Sequence, residues 1–288
     1  MSNQSRGEIA IAVSAMIWGS TFVVAKEAFR DISPILFLVI RFAAGALLLT
    51  FWIRKRPSRQ MVKAGLLIGT IVGCGMILQM SGLKLSSASN VGFLTSLYIP
   101  LVPFVGALVY GVRTGWKELL AVAIASVGLG LMSFDPSSFS VNRGDLMTVA
   151  AAVLFAFQIV LVSRLGVEGE EVWMAWFQVA MTAVVSGIAL PMESSYIQWT
   201  MSLVWSMAIS VIGSTVAAFL LQSYGQRRTT ATRAALIFAT EPVFAGMASY
   251  YWLGERLTMR GWIGAALVMF GVLLAEFKPG GEKEHSSK

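Results

Sequence analysis

Long apolar runs alternate with short polar connections along almost all of this 288-residue chain. A helix that crosses a bilayer needs about 20 mostly apolar residues. By that criterion the pattern predicts ten spanning helices, over residues 8–28, 33–53, 62–82, 90–111, 116–134, 145–164, 172–190, 202–224, 233–253 and 259–277. They divide into a first set of five, residues 8–134, and a second, residues 145–277, between polar ends at 1–7 and 278–288. Five crossings end on the side opposite to their start, so a second copy of such a unit enters the bilayer upside down. The expected architecture is an all-α membrane protein of ten transmembrane helices in two inverted five-helix repeats. Repeats of that kind build a site near the midplane that opens to either side in turn, as secondary transporters do.

Composition agrees with lipid as the solvent. Hydrophobic residues make up 56% and charged residues 13%, against about 25% charged in an ordinary soluble domain. The chain has 27 glycines and 8 prolines, which suits close helix contact in a membrane. The one cysteine, Cys74, lies in an apolar run and cannot form an intrachain disulfide. Met1 to Glu8 is short and polar with no cleavage site after it, so the first apolar run is expected to be a retained helix rather than a signal peptide. The tail from Lys278 to Lys288 has the charged, Gly- and Ser-containing composition of a disordered segment.

Charge placement turns the pattern into an orientation. The net charge is +7, but the basic residues sit between apolar segments, which argues against a nucleic-acid partner. With the N-terminus inside, fifteen basic residues fall on the cytoplasmic side: Arg6, Arg54, Lys55, Arg56, Arg59, Lys63, Arg113, Lys117, Arg164, Arg227, Arg228, Arg233, Lys278, Lys283 and Lys288. Six fall outside (Lys26, Arg30, Lys84, Arg143, Arg256 and Arg260), and Arg41 is left within a helix. By the positive-inside rule both termini are expected to be cytoplasmic, and the expected location is a bacterial-type inner membrane. Trp52, Trp116, Trp173, Trp199 and Trp262, near segment ends, read as interface anchors.

The two halves echo each other. Tyr98-Ile99-Pro100 in the fourth helix parallels Thr240-Glu241-Pro242 in the ninth. Gly111-Val112-Arg113 parallels Gly254-Glu255-Arg256, and Gly115-Trp116 parallels Gly261-Trp262. Each fifth helix ends in a glycine-spaced run, Val127-Gly128-Leu129-Gly130 and Phe270-Gly271-Val272-Leu273.

With Trp18-Gly19-Ser20-Thr21-Phe22, Arg41-Phe42, Glu241-Pro242-Val243-Phe244 and Gly254-Glu255-Arg256-Leu257, the chain resembles the ten-helix EamA-type permeases of the drug/metabolite transporter superfamily over residues 8–277. Val112 departs from the pattern, standing where the family often has an acid. The resemblance implies export of small metabolites, often amino acids or related compounds, and leaves the substrate open. It also makes an arginine at position 41 and a Glu-Pro pair at 241–242 recurrent features, which favours a structural role for each.

A charge within a membrane helix is costly and faces protein or water. Arg41 is therefore either a fork for a substrate carboxylate or a buried structural pair. Glu241 is either a proton carrier, a partner of Arg41 or a helix cap. Pro100, Pro103 and Pro242 read as helix breaks beside a site or as ordinary kinks. Trp18, Gln79, Asn90, Tyr98, Gln158, Gln178, Gln222 and Glu241 form the candidate substrate-binding set. Amides recognise ammonium and carboxylate without a buried charge, and the same residues also suit helix–helix hydrogen bonds. Gly65, Gly69 and Gly73, at four-residue spacing, open one face of the third helix to a neighbour, within the chain or in a second copy.

Enzyme readings fare poorly. The one histidine, His285, lies in the tail, and no phosphate-binding glycine loop occurs. Neither a metal nor a cofactor is expected. The expected partners are a small-molecule substrate, the lipid bilayer and, for an antiporter, protons; the oligomeric state is open. Alternative readings are efflux of amphiphilic cations, a sensor or assembly protein without flux, and a membrane enzyme acting on lipid.

Overall fold

The computed structural model describes residues 2–86, 88–133, 142–253 and 258–276. The Gly254 to Leu257 turn, the tail and the Asn90 side chain lie outside the described residues, so the expectations attached to them are not met by any observation here. Among the described residues the chain is helical, with a single isolated bridge between Ile32 and Ile197.

The helices are α1 (Asn3–Ala28), α2 (Pro34–Thr50), α3 (Arg59–Leu85), α4 (Ala88–Thr95), α5 (Tyr98–Tyr110), α6 (Trp116–Ser133), α7 (Arg143–Leu165) and α8 (Glu171–Ala189). Then come α9 (Met201–Ile209), a π-helical stretch Ser210–Ala217, α10 (Ala218–Gln226), α11 (Ala231–Phe238), α12 (Glu241–Leu253) and α13 (Met259–Glu276). Among the described residues six segments are long and apolar enough to cross a membrane: Asn3–Ala28, Arg59–Leu85, Val91–Tyr110, Arg143–Leu165, Glu171–Met192 and Met201–Gln226. Pro34–Thr50 and Met259–Ala275 are shorter apolar helices. Bulky apolar side chains stand exposed on their outer faces, among them Leu47, Phe51, Phe104, Leu108 and Ile188. A soluble monomer rarely shows that much apolar surface; lipid covers it without penalty.

Two predicted spans are broken. Span 90–111 is α4 and α5, and span 233–253 is α11 and α12. The physical cause is the same in both. Proline has no N–H and clashes with the carbonyl four residues back. Upstream of Pro100 the backbone tightens, with Leu97 N bonding Leu94 O at 3.2 Å and Ile99 N bonding Ser96 O at 3.0 Å. Before and across Pro242, Thr240 N bonds Ile237 O at 3.1 Å and Val243 N bonds Thr240 O at 3.0 Å. Pro100 and Pro242 thus sit in the first turn of α5 and α12, where proline is tolerated, and the breaks lie just before them. Pro103 lies inside α5.

Helix contacts set the rest. α3 packs on α7 and α8, α2 on α8 and the π stretch, α1 on α10 and α12, α5 on α7, and α6 on α13. The glycine face of α3 turns to α8. A Cβ at Gly65 would strike the Phe177 ring, one at Gly69 the Phe177 carbonyl and Met181, and one at Gly73 the Thr182 backbone and Val185. That face is therefore an intramolecular seam, which settles the choice left by its spacing. Gly128 and Gly264 form a similar close approach between α6 and α13.

Candidate functional site

The candidate site is built from broken or irregular backbone. The two breaks bring Tyr98 and Glu241 to equivalent positions, each the first residue of the helix that follows. A carboxylate there lies at the positive end of the α12 dipole. Gly19 on α1 makes this possible. A Cβ at Gly19 would overlap the Glu241 carbonyl and crowd Ala245 N and Phe244 Cβ, so only glycine admits α12 at this depth.

The π stretch and the residue that follows it are held by three side chains from the first two helices. Trp18 Nε1 donates to the Ser214 carbonyl at 2.8 Å, and Ser14 Oγ donates to the Ala218 carbonyl at 3.1 Å. Arg41 Nε donates to Thr215 Oγ1 at 2.7 Å. A π turn misaligns the ladder of carbonyls and recurs at functional sites; here α1 supplies the donors the carbonyls need. Arg41 is buried, and its guanidinium carbon lies 5.0 Å from the centre of the Phe42 ring. No carboxylate among the described residues lies within 4.0 Å of it, so the pairing of Arg41 with Glu241, one of the alternatives the sequence leaves open, is not present. Its hydrogen-bond partner is a hydroxyl from the other half of the chain.

Trp18, Arg41, Gln79, Tyr98, Gln158, Gln222 and Glu241 all line one cavity of about 100 Å³. The remaining walls are mostly apolar, with Met76, Phe155, Phe219 and Phe238 prominent. The Trp18 ring packs against Phe219 and Phe238, with centroids 5.5 Å away in both cases. Gln79 Nε2 donates to Thr95 Oγ1 at 3.0 Å. Gln158 Nε2 donates to Gln178 Oε1 at 2.7 Å, and Gln178 Nε2 reaches Ser223 Oγ at 3.2 Å. Gln178 is thus one layer behind the cavity wall and positions Gln158. The Gln222 Oε1 atom is buried and has no hydrogen-bond partner, an acceptor left open beside the space. Thr21, Thr95 and Ser214 also line the cavity, and Thr215 anchors Arg41. Their residue types gave no signal in the sequence, because single Ser and Thr are common in membrane helices, bonded to their own backbone. Among the described residues no three His, Cys, Asp or Glu side chains converge as a metal site would require.

The space has a cation, a carboxyl, amides, an indole and a phenol facing one another across mostly apolar walls. That set can take a small molecule carrying both a carboxylate and an ammonium group. The two halves contribute to it alike, and the chain around it is a multi-pass membrane protein.

The EamA-like transporter family is matched twice along the sequence, over residues 5–134 and 142–277. The chain belongs to that family. An uncharacterized transporter of Archaeoglobus fulgidus is 28% identical over 271 residues, covering 94% of this chain and 86% of that one. The uncharacterized transporter YwfM of Bacillus subtilis is 25% identical, covering 95% and 94%. The uncharacterized inner membrane transporter YedA of Escherichia coli is 24% identical, covering 90% and 87%. A crystal structure at 19% identity superposes with a TM-score of 0.77 over 94% of this chain and 96% of its own; that likeness concerns the fold alone. The protein is a transporter, and not an enzyme.

Proposed function

We propose that this transporter exports small organic metabolites, amino acids or close relatives foremost, by alternating access around the cavity between its two halves. The observation that carries the reading is the cavity lining. Arg41 offers a fork to a carboxylate, Glu241 a counter-charge to an ammonium group or a seat for a proton, and Gln79, Gln158 and Gln222 neutral polar contacts. Two further observations support the repeat behind it. The broken helices correspond, α4–α5 with α11–α12. The contacts also correspond: α1 meets α10 and α12 as α7 meets α3 and α5. Taking α4–α5, α9–α10 and α11–α12 as single rods gives ten helices in two sets of five, inverted relative to each other. The units are residues 8–134 and 145–277, both termini face the cytoplasm, and the protein resides in an inner membrane.

Efflux of amphiphilic cations is the second reading, favoured by the aromatic wall of Trp18, Phe155, Phe219 and Phe238. Counterflow into proteoliposomes, with labelled amino acids and amphiphilic cations tested side by side, separates the two. Uptake of amino acids that preloaded unlabelled substrate accelerates supports the first. Uptake of the cations alone supports the second, and no flux of either removes both.

A further inference from the structure

A second cavity, of about 580 Å³, opens on the side that holds the N-terminus. It lies one helical turn from the first along two shared helices: Tyr98 lines the first and Val102 the second on α5, Ile159 the first and Ser163 the second on α7. The walls carry five arginines, Arg113, Arg164, Arg227, Arg228 and Arg233, and one carboxylate, Glu118.

Two of the arginines are neutralised. Arg228 pairs with Glu171 at 2.9 Å, and Arg233 with Glu118 at 3.3 Å and Glu8 at 3.6 Å. The other three have no ion pair among the described residues. Arg164 lies 5.8 Å from the Tyr110 ring centre. The Arg227 stem runs against Gly166, where a Cβ would come within 2.8 Å of its Cδ. Its Nε is buried with no hydrogen-bond partner, and so is Ser163 Oγ. The N-terminus of α11 closes the same space with Thr230, Ala231 and Thr232, adding the positive end of a helix dipole.

The positive-inside rule explains why arginines sit on this side. It does not explain their convergence on one cavity, or two buried polar atoms left unbonded beside it. Unsatisfied buried donors are costly, and an anion held between Arg113, Arg164, Arg227 and the α11 N-terminus satisfies them. We propose that this cavity is a binding site for a small soluble organic anion, a carboxylate, on its way to the central cavity. The inference rests on the transport reading above and narrows the substrate class to net-anionic carboxylates, away from cations.

Binding is tested first, without flux. Purified full-length protein in neutral detergent at low salt is melted in the presence of glutarate, glutamine or 1,5-diaminopentane, and then of phosphatidylglycerol. Glutarate is expected to raise Tm saturably while glutamine and the diamine do not, since a ligand of the native state stabilises by mass action. In Arg164→Gln and Arg227→Gln, each expected to fold with an unliganded Tm near that of the native chain, the apparent Kd for glutarate rises about tenfold, as loss of a charge-assisted hydrogen bond requires. No saturable glutarate shift, a shift unchanged in both variants, or a shift with phosphatidylglycerol alone overturns the proposal; the last assigns the site to a lipid headgroup. Counterflow of labelled glutamate and glutamine then separates the two claims. Glutarate binding without amino-acid flux removes the function proposed above and leaves this site. Flux in which glutamate and glutamine behave alike and both variants are silent removes this site and leaves the function.

Discussion

At the scale of single residues, Arg41 and Glu241 bear the account. Arg41 spends one donor on Thr215 and keeps the rest of its fork beside the cavity. Lysine holds the charge but not the planar fork. Arg41→Lys is therefore expected to raise the half-saturation concentration for a carboxylate substrate by about tenfold or more, with little change in Tm. A fall in Tm with unchanged affinity would instead make Arg41 a brace for the π stretch. Glu241 has no hydrogen bond or ion pair among the described residues, so its side chain is available to the cavity. In liposomes, Glu241→Gln is expected to abolish accumulation driven by a pH gradient and to preserve exchange at equal pH. Full gradient-driven transport by that variant would end the proton-carrier role. The sequence marked both residues, because a charge within an apolar run is visible locally. It could not show that Arg41 meets a threonine 174 positions away rather than the acid at 241, since that choice is made only when the halves meet.

At the scale of elements, glycines and prolines decide how close and how bent the helices are. Paired Pro100 and Pro242 made the breaks legible in the sequence. Their positions were less so, because the tightened turns at 94–97 and 237–240 consist of residues that ordinary helices also contain. The π stretch had no advance signal at all: Ser210–Ala217 reads as a plain apolar run. Its counterpart in the first half, α3, is continuous helix from Arg59 to Leu85, so the halves differ at this rod. Close packing gives a sharp test. Gly19→Val drives its side chain into the α12 backbone and is expected to destabilise by about 1–3 kcal/mol or more, the range for overpacking. Gly106→Ala meets nothing within 4 Å and should melt as the native chain does. Equal melting of the two variants would show that α1 and α12 do not approach as described.

At the scale of the whole molecule, the two cavities lie in series, and a turn of helix carrying buried Ile99, Val102, Ile159 and Val160 separates them. The proposed orientation, with both ends inside, is expected to make a fluorescent-protein fusion to either terminus glow and an alkaline phosphatase fusion to either inactive; opposite results at the two ends would break the five-plus-five count. In the proposed mechanism the first cavity belongs to a path open to each side in turn. Replacing Cys74, the only cysteine, with alanine gives a background in which Gln222→Cys is the sole thiol. A small membrane-impermeant methanethiosulfonate reagent is then applied to oriented vesicles, from one face or the other. Alternating access requires modification from both faces, slowed by transported substrate. Modification from one face only, or from neither, would contradict it.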